Sequence, residues 1–62
     1  MKKFLSIGIM VSGKEIPQYI NIDKIIRIYE IDSKIFIELD EYTTLETTEK
    51  NIFILMDRIY LL

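Results

Sequence analysis

The sequence predicts an α+β fold, a four- to five-stranded and mainly antiparallel sheet packed by one C-terminal helix. Three observations predict it: an apolar alternation of period two over residues 4–12, β-branched runs separated by turn residues further on, and an apolar repeat of helical period near the C-terminus, behind a pair of threonines.

The first strand is read from Leu5, Ile7, Ile9 and Val11, which fall on one face, with Phe4, Ser6, Gly8, Met10 and Ser12 on the other. Ser12-Gly13-Lys14-Glu15 ends it with a turn, because glycine adopts positive φ without steric cost. The return strand runs through Gln18-Tyr19-Ile20-Asn21-Ile22, and Pro17 marks either its first residue or a sheet edge, having no N–H to donate. Asn21 or Asp23 then pins a short turn by accepting from nearby amides.

A second hairpin follows: Ile25–Ile31, the punctuation Asp32-Ser33-Lys34, and Ile35–Leu39 with Ile35, Ile37 and Leu39 inward. After a turn at Asp40-Glu41-Tyr42, the threonine-rich residues 43–47 suit a fifth, more exposed strand. The last segment reads as a helix. Thr47 or Thr48 serves as N-cap, Glu49 sits where the helix dipole favours a carboxylate, and Ile52, Leu55, Met56 and Ile59 repeat at helical spacing. A strand over residues 52–56 is the alternative for so short an isoleucine-rich run.

Isoleucine supplies 14 of the 62 residues, and alanine, cysteine, histidine and tryptophan are absent. A single domain over residues 1–62 hides only roughly 60% of the surface its unfolded chain exposes, so this much apolar side chain exceeds what one small core takes in. A disulfide or a cysteine/histidine zinc site would be the usual staple, and neither is possible here. The composition therefore predicts a homo-oligomer, a dimer or higher.

Lys2 and Lys3 ahead of an apolar run resemble a secretory n-region, but the run ends in a turn with no small-residue cleavage site, so no signal peptide is expected. No apolar run approaches the ~20 residues of a membrane span. A cytoplasmic location is the expectation. The richness in isoleucine, lysine, asparagine and tyrosine points to an AT-rich coding sequence, of a low-GC bacterium or its phage.

Chemistry of the catalytic kind is not expected. Histidine and cysteine are missing as base or nucleophile, and Gly8 and Gly13, the only glycines, form no phosphate-cradling loop. The acidic residues Glu38, Asp40, Glu41, Glu46 and Glu49 lack the spacing of a calcium loop and read as a solvated sheet edge. No metal and no cofactor is expected. The net charge of −2, with Lys2, Lys3, Lys14, Lys24 and Lys34 dispersed along the chain, leaves little footprint for nucleic acid.

Protein recognition is the expected role. Tyr19, Tyr29, Phe53, Ile54, Met56, Arg58, Tyr60 and Leu61 are candidates for an interface with a partner or with a second copy, since aromatic, methionine and arginine side chains enrich interface cores. Tyr19, Lys24, Arg27 and Tyr29 are candidates for holding a nucleotide-like ligand in a sequestering oligomer.

Ser12-Gly13-Lys14-Glu15, Ile20-Asn21-Ile22-Asp23-Lys24-Ile25 and the run from Asp32 to Leu39 together resemble the small flagellar and swarming proteins FlbD and SwrD. That family has a turn of the Asn-Gly-Lys-Glu kind, an Asn-x-Asp-x-Ile stretch and a Val/Ile-x-Leu strand before a terminal helix. The resemblance implies the same β-plus-helix fold and no catalytic residue. Asp40-Glu41-Tyr42 replaces the family's glycine turn, and Thr47-Thr48 replaces its Glu-Ser. The favoured expectation is a non-enzymatic protein that associates with itself and blocks or adapts a larger protein, as a phage-type inhibitor of a host defence system does. A motility accessory factor of the FlbD/SwrD kind is the alternative.

Overall fold

The computed structural model describes residues 3–60. Five strands, β1 (Phe4–Val11), β2 (Lys14–Asn21), β3 (Arg27–Ile31), β4 (Lys34–Glu38) and β5 (Thr44–Thr47), precede one helix, α1 (Glu49–Tyr60). All strand pairings are antiparallel, in the spatial order β2-β1-β5-β4-β3. The α+β class and the C-terminal helix are as the sequence predicts, and the strand alternative for the last segment is excluded.

Two tight hairpins build the sheet. Ser12 and Gly13 sit at φ 52° and 80°, and Asp32 and Ser33 at 52° and 66°. Positive φ at both central residues gives the turn whose twist matches that of paired strands. The registers follow directly: Val11 opposite Lys14 and Ile31 opposite Lys34. The first turn has a glycine to accept this geometry, whereas the second places two L side chains in it.

Between the hairpins, a 3-10 turn at Ile22–Lys24 is pinned as expected by Asn21, whose Oδ1 accepts the Asp23 N–H at 3.0 Å. The Ile22 N–H donates to the Lys3 carbonyl at 2.7 Å, extending the β1–β2 ladder to its end. Past β4 the chain reverses through Asp40, which accepts the Tyr42 N–H at 2.8 Å. That bond, more than any other influence, holds the Asp40 carboxyl below the usual carboxylate range.

Two expectations are corrected. The second strand is not confined to residues 18–22: β2 begins at Lys14, and Pro17 lies within it on an outermost strand. The fifth strand is not an exposed outer one. It inserts between β1 and β4, with Thr47 opposite both Ile9 and Ile35, and its Thr47 is buried. A threonine-rich run suits a central strand when its hydroxyl finds a bond, and that of Thr47 does.

The core consists of Ile7, Ile9, Ile20, Ile37 and Leu55, ringed by Leu5, Ile22, Ile25, Ile28, Leu39, Leu45, Ile52 and Ile59. One face of the sheet meets one stripe of α1, which packs chiefly on β1. Each fully buried aliphatic side chain contributes about 1.5–3 kcal/mol. The other face of the sheet carries no helix.

Candidate functional site

The registers place Phe4, Ser6, Gly8 and Met10 of β1 on the helix-free face, with Glu15, Pro17, Tyr19 and Asn21 of β2 beside them. The same parity through β5, β4 and β3 adds Thr44 and Glu46, then Lys34, Phe36 and Glu38, then Arg27, Tyr29 and Ile31. Phe4 is 60% exposed, Tyr19 77% and Ile31 55%. Large apolar groups on an uncovered face are the unusual observation; single exposed aliphatics elsewhere are ordinary.

The β3–β4 half of this face is ordered by side-chain contacts. Tyr29 and Phe36, directly opposite in register, stack with ring centroids 5.5 Å apart. The Arg27 guanidinium lies 4.8 Å from the Tyr29 ring centre and donates to the Glu38 carboxylate. This hydrogen bond and the carboxylate's charge raise the Arg27 pKa above its ordinary value. The result is a preset aromatic–guanidinium surface of mixed charge, with Arg27 and Lys34 against Glu15, Glu38 and Glu46. Such a surface suits a protein and gives a phosphate backbone little to hold.

The residues singled out by the sequence fall in two places. Tyr19 and Tyr29 share the open sheet face, at its opposite edges. Phe53 and Ile54 lie on the solvent side of α1, 65% and 46% exposed, where they line a surface hollow of about 390 Å³ with Met56 and Asp57. Arg58 is exposed on the same helix. Leu61 and the side chain of Tyr60 lie outside the described residues.

Within one chain the proposed ligand set does not converge. Arg27 and Tyr29 are neighbours, Lys24 is exposed on the 3-10 turn, and β1, β5 and β4 separate Tyr19 from Tyr29. The acidic residues form no sheet edge either. Glu38 and Glu46 lie on inner strands, Asp40 and Glu41 in the turn between them, and Glu49 at the helix start, because the insertion of β5 leaves β2 and β3 as the edges. Among the described residues, no three carboxylates come close enough to hold a metal ion.

Sequence reasoning missed a polar joint beside this face. The buried Asn51 accepts the Gly8 N–H at 2.9 Å through its Oδ1, and its Nδ2 donates to Thr48 Oγ1 at 2.8 Å and Glu15 Oε2 at 3.1 Å. The Thr47 hydroxyl donates to the Gly8 carbonyl at 2.6 Å. In the β1–β5 register the next backbone pair would put Gly8 opposite Thr48, but there the chain turns into α1. Two side chains therefore take the place of a missing strand residue. A signal was present in Thr48-x-x-Asn51, a capping pattern that puts the asparagine on the inward side of the first helical turn.

Compared with known protein families, curated proteins and solved structures, the chain matches none of them. Among the described residues, no helix is long and apolar enough to cross a membrane.

Proposed function

We propose that this chain is a non-enzymatic binding protein that associates with itself and docks, through its helix-free sheet face, onto a larger protein that it blocks or adapts. The observation that carries the reading is a helix-free sheet face on which Phe4, Tyr19 and Ile31 are exposed and the half-buried Tyr29 and Phe36 stack, with the Arg27 guanidinium 4.8 Å from the Tyr29 ring centre. Rigid aromatic and arginine side chains bury much area at little entropic cost, which is why they dominate interface energetics. A phage-type inhibitor of a host system is one protein of this kind, and a motility accessory factor of the FlbD/SwrD kind is another. A nucleotide-sequestering role would need two copies to complete the site, since Tyr19 stands across the sheet from Arg27 and Tyr29.

Site-specific photocrosslinking in cells of the source organism tests the reading. A photoreactive phenylalanine at Tyr19 or Phe36 should give one discrete adduct with a larger protein, and the same group at Phe53 should not. Arg27→Glu should remove the adduct. Adducts from Phe53 alone would move the docking surface to the helix, and adducts of the chain with itself alone would overturn the partner.

A further inference from the structure

The two edges of the sheet are not equivalent. In β2 the register pairs Lys14, Ile16, Gln18 and Ile20 toward β1, so Glu15, Pro17 and Tyr19 turn their backbone outward, and Pro17 breaks that row for want of an N–H. In β3 the residues bonded to β4 are Arg27, Tyr29 and Ile31, which leaves the N–H and C=O groups of Ile28 and Glu30 facing outward. No described residue pairs with these groups. Unpaired groups of this kind are a template for another strand, and no proline interrupts them.

Resting on the self-association above, we propose that β3 is the seam at which two copies of this chain join, antiparallel, with Tyr29 opposite Tyr29 of the second copy. Only that register sets Ile28 against Glu30 of the second copy, so that each outward N–H and C=O of both residues gains a partner. Centring on Ile28 would set Glu30 against Ile26, whose N–H is already committed to the Glu38 carbonyl at 2.7 Å. Centring on Glu30 would place two carboxylates directly opposite, which is destabilising. Glu30 thus excludes one register and the Ile26 bond another.

Side chains agree with the backbone. On the open face the stack of Tyr29 on Phe36 would continue through the second Tyr29 to the second Phe36, one aromatic row over both sheets. Arg27 would lie opposite Ile31 of the second copy and cover a side chain that is 55% exposed in the single chain. The joined sheets would double the docking face, with the helices left outside the seam.

The chain has no cysteine, so a single introduced thiol reports the register. Residues opposite each other in such a pair have Cα atoms about 4.5 Å apart, within disulfide reach, whereas positions 28 would lie roughly 8 Å apart. The expected results are a dimer for the wild-type chain at about 0.1 mM by sedimentation equilibrium, an oxidised dimer of Tyr29→Cys, and none of Ile28→Cys, which leaves both Glu30 and the Ile26 bond in place. Glu30→Pro removes only an outward N–H and should weaken the dimer at least tenfold, while Tyr19→Pro on the other edge leaves it intact. A wild-type monomer would overturn self-association altogether, including that part of the proposed function. A dimer that resists Glu30→Pro, or that crosslinks at 28 and not at 29, would overturn the proposed β3 seam alone. Should Glu30→Pro fail to fold, crosslinking decides.

Discussion

The Asn51 carboxamide accepts the Gly8 N–H at 2.9 Å across 43 residues of sequence, and through this bond the helix takes over where β5 stops. A strand residue at that point would have satisfied one backbone group of β1. Asn51 does so and also closes on Thr48 and Glu15.

Asn51→Leu should therefore cost more than the loss of one bond. It leaves the buried Gly8 N–H without a partner, and an unmet buried donor costs about 1–3 kcal/mol. Urea denaturation should show a loss of about 2–4 kcal/mol for this variant, against under about 0.5 kcal/mol for the exposed Lys50→Leu.

Gly8→Ala should act through Glu15. A Cβ at position 8 runs into the Glu15 side chain, which must leave Asn51. The expected cost is about 1 kcal/mol, and it should shrink in a Glu15→Ala background, where nothing remains to be displaced. A cost unchanged in the double variant would place the strain in the backbone of β1.

The second hairpin turn holds Ser33 at φ 66°. Glycine relieves about 1–2 kcal/mol of left-handed strain and gives back about 0.5–1 in unfolded-chain entropy. Ser33→Gly should then raise stability by about 0.5–1 kcal/mol in thermal or urea unfolding. Lys34→Gly, one residue on and in the strand, should lower it.

Asp40 carries a pH dependence of definite sign. Its folded carboxyl is held lower than in the unfolded chain, chiefly by the Tyr42 N–H, so its stabilisation is present above the unfolded value and is lost as the pH falls through the folded one. The stability difference between wild type and Asp40→Ala should be constant from about pH 5 to 7 and narrow below about pH 4. A difference that widens in acid would contradict the assignment.

Phe53→Asp separates core from surface. With Phe53 65% exposed, the variant should keep its unfolding free energy within about 0.5 kcal/mol and keep its mass in solution, since the proposed seam lies on β3. Leu55→Asp, by contrast, buries an unpaired charge and should abolish folding.

Much of the fold was legible. Ile7, Ile9 and Ile37 read as inward because the side-chain period of a strand is two, and Leu55 because that of a helix is near four. The turns at Ser12-Gly13-Lys14-Glu15 and Asp32-Ser33-Lys34 were legible from their residue types, while their two-residue length and the positive φ of Ser12, Asp32 and Ser33 emerge from the paired strands. The candidate interface residues were legible only as a set. Tyr19 and Phe53 look alike as exposed aromatics in sequence, and they lie on different elements of the fold.

By itself, the sequence determined the element types, the inward positions and the absence of any cysteine or histidine chemistry, since these depend on local periodicity and on residue identity. Only the tertiary structure decided that β5 inserts between β1 and β4, that Pro17 and the Ile28–Glu30 row occupy opposite edges, and that Asn51 replaces a strand residue beside Gly8. Strand order depends on which distant segments bury one another's apolar faces. That choice is made by the whole chain at once and leaves no local period to read.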